Sequence, residues 1–207
     1  MTFQIIFNLF GGTALLMYGV DFMGGGLEKA SGKVMKRILS VLTKNIYVAF
    51  FVGTILTMLV QSSTAITVMT VGFVNAGLMN LTQAVGIIYG TNIGTTITAQ
   101  LMSLKLTYIA LPIIAIGFYI LSFSKKDSTK SLGQALMGFG LMFLGLKTLN
   151  ASLPYIKDSE TARQLFLQYG QNPFLGLFIG MIATMLIHSS AATVALTISL
   201  FSADLIR

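Results

Sequence analysis

Two short polar clusters interrupt the most apolar parts of this chain. Residues 45–104, which hold the first cluster, contain no Asp, Glu, Lys or Arg. Amide oxygens, hydroxyls and exposed carbonyls can ligate a hard monovalent cation, and hydroxyls with free backbone N–H groups can bind an oxyanion. The residue types therefore predict ion binding by neutral dipoles. The members are Gln61, Ser62, Ser63 and Thr64 in the first cluster, and His188, Ser189 and Ser190 in the second.

The overall composition is that of a membrane protein. Of 207 residues, 55% are hydrophobic and 9% are charged, whereas soluble domains carry about 25% charged residues. The absence of cysteine excludes disulfides and thiolate metal sites. The net charge of +7 comes from short segments beside apolar runs, which is typical of topology-setting charge and not of a nucleic-acid surface. We therefore predict an all-α integral membrane protein that does not bind nucleic acid.

The apolar run before each cluster is too short to cross a membrane. Ile46–Val60 has 15 residues and Phe174–Ile187 has 14, whereas a straight transmembrane helix takes about 20. Such half-length helices can instead turn back near the membrane midplane, where irregular backbone is tolerated if it is buried or lines a wet cavity. We therefore predict two re-entrant helical hairpins, 46–79 and 173–203, that break at the clusters.

Further apolar runs predict the elements around these hairpins. Phe3–Met23 is long enough to cross the membrane, and the triple glycine at 24–26 is expected to end it. A basic amphipathic segment, 27–44, should lie at the membrane surface. Segment 81–101 has glycine at every fourth position, which favours close helix contact, and TNIGTT within it is expected to be a third polar break. The remaining elements are helix 106–123, the basic turn 125–130, helix 131–149 and the connection 150–171.

Residues 51–71 and 178–198 are two copies of one sequence. At an offset of 127, ten of 21 positions are identical, and two serines of each cluster are among them. This similarity indicates an internal duplication. Two transmembrane repeats are therefore expected, 1–124 and an incomplete 125–207.

Loop charge indicates how the two copies are oriented. Segments 27–44 and 125–130 are basic, whereas 150–171 carries two basic and two acidic residues. The positive-inside rule places the first two in the cytoplasm and permits the third outside. The copies are therefore expected to be inverted, with Gly19 equivalent to Gly145. Inverted repeats with interrupted helices at matching positions are typical of the binding site of a secondary transporter.

Several of these polar residues also have structural explanations. Membrane serines and threonines usually bond a carbonyl of their own helix or join two helices, but the duplication and the half-length helices favour a site. The alignment of His188 with Gln61 favours a polar role over packing. Asp21 is either an intramembrane functional carboxylate or an interfacial residue, and both interpretations stay open.

Residues 61–99, QSSTAITVMTVGFVNAGLMNLTQAVGIIYGTNIGTTITA, resemble the core signature of the sodium/phosphate cotransporter family, the type II NaPi proteins and their bacterial relatives. In that family, Q-S-S-S is followed further along the chain by G-x-N-I-G-T. The upstream LMYGVDFMGGGLEKASGKVMKRIL also resembles the opening helix and basic segment of the family.

The resemblance implies inverted repeats, a phosphate site built from both motifs, and alternating access, with Na⁺ as the coupling ion and no other cofactor. Thr64 stands where a third serine is usual, His188 where a glutamine is usual, and Ala191 where another serine is usual. The implied phosphate-binding residues are Gln61, Ser62, Ser63, Thr64, Asn92, Thr95, Thr96, His188, Ser189 and Ser190. The implied Na⁺ ligands are Gln61, Ser62, Thr64, Asn92, Thr95 and Ser189.

We expect a sodium-coupled phosphate symporter of the bacterial inner membrane and not an enzyme. A transporter or channel for another small anion, and a membrane phosphate sensor, remain open alternatives. A serine hydrolase using His188 and Ser189 is disfavoured, because neighbouring helix residues do not face each other and no carboxylate lies nearby to orient the imidazole.

Inorganic phosphate, Na⁺ and the lipid bilayer are the expected partners. A homodimer and a cytoplasmic phosphate-regulatory domain or protein are further candidates. No second G-x-N-I-G-T occurs before Arg207. We therefore expect a truncated chain, with a site completed by another copy as the alternative.

Overall fold

The computed structural model describes residues 2–41, 45–104, 106–157, 172–187 and 189–202, and within these ranges it is helical without a β-strand. The predicted all-α fold is therefore confirmed. The helices are α1 (Thr2–Val41), α2 (Ile46–Val60), α3 (Ser63–Asn75), α4 (Leu81–Ser103), a 3₁₀ turn (Thr107–Ile109), α5 (Ala110–Phe123), α6 (Asp127–Asn150), α7 (Leu153–Lys157), α8 (Pro173–Ile187) and α9 (Ser190–Ser202).

The first helices of the two repeats, α1 and α6, pack antiparallel along their length through glycines. The same offset that relates Gly19 to Gly145 turns the contact of Gly12 with Leu149 into that of Gly138 with Met23. It likewise turns the contact of Gly19 with Met142 into that of Gly145 with Leu16. The pair is therefore two-fold symmetric, which is the arrangement expected of inverted copies. The four contacts are Gly12 with Leu149, Gly19 with Met142, Gly138 with Met23, and Gly145 with Leu16.

The prediction that the triple glycine at 24–26 ends the first helix is wrong. α1 continues without a break through these residues. Tertiary packing explains this, because α6 approaches so closely that a Cβ added at Gly26 would lie 2.6 Å from Ala135 N. Residues 27–41 thus continue α1 instead of forming a separate surface helix, and 42–44 lie outside the described residues.

The antiparallel pairing places the C-terminal part of α1 beside the start of α6. Gln134 joins them, since its Nε2 donates to Phe22 O at 3.1 Å and its Oε1 accepts from Lys29 Nζ at 3.1 Å. The basic part of α1 and the basic residues at 125–130 therefore lie at the same end of the helix pair. This arrangement agrees with one membrane face for both segments.

In repeat one, α2 and α3 form a hairpin that packs on α4. The chain leaves α2 at its C-terminal end and begins α4 beside the start of α2, so α3 must run back antiparallel to α2. α2 has 15 residues, about 22 Å, whereas the hydrocarbon core of a bilayer is about 30 Å thick. α2 is therefore too short to cross the membrane, and α2 with α3 forms the hairpin that the sequence predicts. The contacts that show α2 and α4 to be parallel are Gly86 with Ile46, Gly90 with Phe50, and Gly94 with Thr57.

The predicted third break at TNIGTT is wrong, since α4 is continuous from Leu81 to Ser103. The hydroxyls that suggested a break are satisfied inside the helix: Thr91 Oγ1 donates to Ile88 O at 2.8 Å and Thr95 Oγ1 to Thr91 O at 3.0 Å. The glycines of this stretch face α2, and the close contact between the two backbones favours regular helix over a break.

Among the described residues, two helical segments are long and apolar enough to cross a membrane, Phe3–Ser31 and Asp127–Tyr155. α4 and the Thr107–Phe123 segment form a pair bent by 81° that would make a third span. The predicted helix 106–123 is therefore present as a 3₁₀ turn and α5, and it counts toward a span only together with α4.

The second hairpin repeats the first in its residue bounds. α2 and α3 cover 46–60 and 63–75, and adding 127 to each bound gives 173–187 and 190–202, the bounds of α8 and α9. The duplication is therefore present in the structure as well as in the sequence. Of the predicted connection 150–171, residues 158–171 lie outside the described part, as does residue 203.

We expect alanine at Gly12 to destabilise the α1–α6 pair. A Cβ at Gly12 would lie 2.7 Å from Leu149 N, whereas one at the neighbouring Gly11 would meet nothing within 4 Å. Overpacking of this kind costs about 1–3 kcal/mol. Gly12→Ala should therefore lower the melting temperature in detergent, and Gly11→Ala should not. Equal melting temperatures for the two variants would contradict the pairing of α1 with α6.

Candidate ion-binding site at the helix breaks

The first hairpin breaks at Gln61, whose backbone is left-handed, with φ 59° and ψ 18°. Among the described residues it is the only non-glycine with a positive φ. Its N–H ends α2 by donating to Thr57 O at 2.7 Å. Ser62 is extended and caps α3, because its Oγ accepts from Ala65 N at 3.2 Å. The chain thus reverses direction over two residues.

The Gln61 side chain ties the break to two helices. Its Nε2 donates to Met58 O at 2.6 Å, and its Oε1 accepts a hydrogen bond from Thr98 Oγ1 of α4. Sequence reasoning did not single out Thr98. A signal was present, however, because Thr98 continues the every-fourth-residue stripe of Gly90 and Gly94 along the face of α4 that contacts α2.

The first turn of α3 has unpaired hydrogen-bond donors. The backbone N–H groups and hydroxyls of Ser63 and Thr64 form no hydrogen bond with any described residue. The first N–H groups of a helix have no intrahelical partner, and the helix dipole makes this end positive. Four donors and a positive dipole end therefore lie within the first turn of α3, where an anion could bind.

Unpaired carbonyl oxygens lie at the end of α2 and at the break itself. Val60 O and Gln61 O accept no hydrogen bond from the described residues. Gly24 of α1 lies beside them, since a Cβ added there would be 3.5 Å from Val60 O and 3.6 Å from Gln61 O. One member of the triple glycine therefore keeps α1 close to these carbonyl oxygens.

The described residues after the second break repeat the helix cap found after the first. Ser189 Oγ accepts from Ala192 N at 3.2 Å, as Ser62 Oγ accepts from Ala65 N. Ser190 begins α9, as Ser63 begins α3. His188, the predicted counterpart of Gln61, lies outside the described residues.

The last turns of α4 connect the surroundings of both breaks. Thr98 bonds Gln61 at the first break. Met102, one turn further on and about 6 Å along the axis, belongs to a buried apolar cluster with Ala192 of α9, and Ile187 at the end of α8 packs on that cluster. α9 and the last turns of α4 therefore share one buried apolar cluster.

Three predicted site residues on α4 have hydrogen bonds within their own helix. Asn92 Nδ2 donates to Ile88 O at 3.2 Å, Thr95 Oγ1 to Thr91 O at 3.0 Å, and Thr96 Oγ1 to Ile93 O at 2.7 Å. Asn92 and Thr96 are exposed and Thr95 is half-buried. The structure does not join them to Gln61 by hydrogen bonds, so their role in ion binding stays a prediction.

The described side chains at both breaks are uncharged. Asp21 is exposed on α1 and forms no ion pair or hydrogen bond with any described residue. The described ranges also contain no group of three His, Cys, Asp or Glu side chains that could hold a metal ion. Within the described part of the chain, the arrangement can therefore offer an ion neutral hydroxyls, amides, carbonyls and helix ends.

Comparison with known proteins yields one family and several relatives. The family model described as Na⁺/Pi-cotransporter matches residues 15–151 and 157–207. The "Uncharacterized protein YqeW" of Bacillus subtilis is 27% identical over 198 residues, which are 94% of this chain and 64% of the relative. No solved structure matches the chain.

Two further relatives carry names that refer to phosphate. The "Putative inorganic phosphate export protein YjbB" of Salmonella typhimurium is 28% identical over 97% of this chain and 37% of its own length. The "Sodium-dependent phosphate transport protein 2A" of Ovis aries is 34% identical over 44% of this chain and 14% of its own length. The chain thus spans less than two thirds of the length of each of these three relatives.

Proposed function

The chain belongs to the Na⁺/Pi-cotransporter family, and on that premise we propose that it binds inorganic phosphate together with Na⁺ at its two helix breaks as part of a symporter. The family is one of transporters and not of enzymes. The observation that carries the proposal is the duplicated break, in which each half-length helix is followed by a serine-capped helix start. Inverted, interrupted helices of this kind form the binding sites of secondary transporters.

Phosphate would bind at the N-terminal ends of α3 and α9. The free N–H and hydroxyl groups of Ser63 and Thr64 are donors of the kind that helix N-termini use for oxyanions. Ser190 holds the equivalent position in α9. His188 is included in the proposed site only because it aligns with Gln61.

Na⁺ would bind at the carbonyl oxygens of the first break. Gln61 Oε1 accepts one hydrogen bond, from Thr98, and has a second lone pair that could contact the cation. The backbone carbonyls of Val60 and Gln61 accept no hydrogen bond within the described ranges. Unwound carbonyls at helix breaks are typical Na⁺ ligands in transporters. Because the described side chains here carry no charge, the cation would supply the positive charge that the site itself lacks, and each ion would favour binding of the other.

The proposal also includes a location and an orientation. A bacterial cytoplasmic membrane with segments 27–44 and 125–130 on its inner side would satisfy the positive-inside rule. The packing of α1 on α6, which brings both basic segments to one end of the helix pair, supports this orientation.

Transport into liposomes tests the proposed function. The purified protein is reconstituted, and uptake of radiolabelled phosphate is followed with an inward Na⁺ gradient and with K⁺ replacing Na⁺. The proposal predicts phosphate accumulation above equilibrium only with the Na⁺ gradient. Phosphate flux that equilibrates without accumulation and ignores Na⁺ would instead indicate a channel and would overturn the symport mechanism.

Alanine at Ser63 should weaken phosphate binding while leaving the fold intact. The Ser63 hydroxyl forms no hydrogen bond with a described residue, so its removal breaks no contact there. Loss of one hydrogen bond to a charged phosphate costs about 1.5–3 kcal/mol, so half-saturation should need at least about tenfold more phosphate. Thr148→Val is the matched control, because that hydroxyl bonds its own helix on α6. Unchanged half-saturation in Ser63→Ala would exclude Ser63 from the site.

A further inference from the structure

Thr57 has a hydroxyl that the hydrogen bonds of the fold do not use. The side chain is fully buried, and Oγ1 has no hydrogen-bond partner among the described residues. Other threonines in these helices donate to a carbonyl three or four residues earlier, as Thr54 does to Phe50 O at 3.0 Å and Thr70 to Ile66 O at 2.7 Å. A buried hydroxyl without a partner loses its hydration with no compensation, so this oxygen needs an explanation.

Thr57 lies one helical turn before Gln61 on the same face of α2. Thr57 contacts α4 at Gly94, where an added Cβ would lie 2.6 Å from Thr57 Cβ, and Gln61 contacts α4 at Thr98. The two contacts are successive positions along the α2–α4 interface. Thr57 and Gln61 are therefore neighbours on the face of α2 that contacts α4.

The equivalent hydroxyl in the second hairpin is paired. Thr184, which aligns with Thr57, donates to Thr193 Oγ1 at 3.0 Å. Thr193 aligns with Ile66, which is fully buried and cannot accept a hydrogen bond. The two hairpins therefore share their helix bounds and serine caps but differ at this pair, since the hydroxyl has no partner in the first hairpin and donates to Thr193 in the second.

We propose that the Thr57 hydroxyl oxygen is a Na⁺ ligand, with Gln61 Oε1 and the free carbonyls of the first break. Neutral oxygens are the ligands that hard cations take. The assignment rests on the proposed function and deepens it, since it places this cation in repeat one.

Thermal stability as a function of Na⁺ tests the assignment in the full chain. The melting temperature of the detergent-solubilised protein is measured while Na⁺ replaces K⁺ at constant ionic strength, because a ligand that binds only the folded state raises it. Thr57→Val keeps the side-chain shape and removes the hydroxyl. It should raise stability in K⁺, because no unpaired hydroxyl remains, and lose the rise with Na⁺. Thr57→Ser and Thr184→Val should both keep that rise.

A second variant changes the same ligand atom. Thr57→Cys keeps a small side chain but replaces the oxygen by sulfur, a soft ligand that a hard cation takes poorly. The Na⁺ concentration for half of the stabilisation should then increase by about tenfold. This variant decides the outcome if Thr57→Val does not fold.

Two results would overturn the assignment, and they can be told apart. If the wild type responds to Na⁺ and Thr57→Val or Thr57→Cys responds equally, Thr57 is only an unsatisfied hydroxyl, and the proposed function stands. If the wild type itself shows no stabilisation specific to Na⁺, the sodium coupling of the proposed function fails together with this ligand.

Discussion

Replacing Gln61 by leucine is expected to reduce Na⁺-driven phosphate transport about a hundredfold, the upper range for loss of a group that supports an ion site. Leucine removes the amide oxygen that accepts from Thr98 and the amide nitrogen that donates to Met58 O. The Thr98 hydroxyl would then be buried without a partner, at a cost of about 1–3 kcal/mol. Transport in liposomes and melting temperature in detergent measure the two effects.

Glycine at the same position separates the side chain from the backbone. Gln61 has φ 59°, and a non-glycine residue in the left-handed region costs about 1–2 kcal/mol relative to glycine. Gln61→Gly should therefore recover much of the stability lost in the leucine variant while transport stays as low. Full transport by Gln61→Gly would show that the amide is not needed for ion binding, and the site would have to be placed elsewhere.

Alanine at Gly90 is expected to separate α2 from α4 and to abolish transport. A Cβ at Gly90 would lie 2.0 Å from Phe50 O and 2.8 Å from Thr54 N, and both atoms belong to the α2 backbone. Neither can move without displacing a helix, so the cost should reach or exceed about 3 kcal/mol, the upper end for overpacking. The Thr98–Gln61 contact depends on the same interface, so the ion site should be lost with it.

Gly72→Ala is the matched control for that substitution. Gly72 also lies inside a helix, α3, but a Cβ there would meet nothing within 4 Å. Alanine is favoured over glycine in a helix by about 1 kcal/mol, so this variant should be as stable as the wild type or more so. A Gly90→Ala protein that melts with the wild type and transports phosphate would contradict the parallel packing of α2 on α4.

The hairpins could be predicted from sequence because their signal is local. Half-length apolar runs that end at a polar cluster leave the chain few alternatives in a membrane, and the internal duplication supplied a second, independent instance. Both breaks occur at the predicted clusters, and the helices on either side have the same lengths in the two copies.

The triple glycine and TNIGTT were misassigned because tertiary packing overrides local propensity. Gly26 lies against α6 and Gly94 against α2, so small residues that weaken an isolated helix here allow two backbones to touch. The same contacts hide the role of Thr98. Its partner, Gln61, is 37 residues away in sequence, and no local pattern indicates which hydroxyl of α4 will face it.

The unpaired hydroxyl of Thr57 could not be predicted from the sequence either. Thr57 and Thr184 are identical residues at equivalent positions, and only their surroundings, Ile66 in one hairpin and Thr193 in the other, leave one hydroxyl without a partner and give the other an acceptor within the described ranges. Duplicated sequence indicates where two half-sites lie, but the packing around each copy decides which hydroxyls find a partner.

Equilibrium phosphate binding with and without Na⁺ tests the central claim, that neutral dipoles bind phosphate together with its cation, most directly. Such a site should hold phosphate weakly in K⁺ and at least about tenfold more tightly in Na⁺, and phosphate should increase the affinity for Na⁺ by the same factor. Isothermal titration of the purified protein with each ion, in the presence and absence of the other, gives both factors. Equal and reciprocal factors are the predicted result. Phosphate affinity that is the same in Na⁺ and K⁺ would contradict coupled binding at the helix breaks.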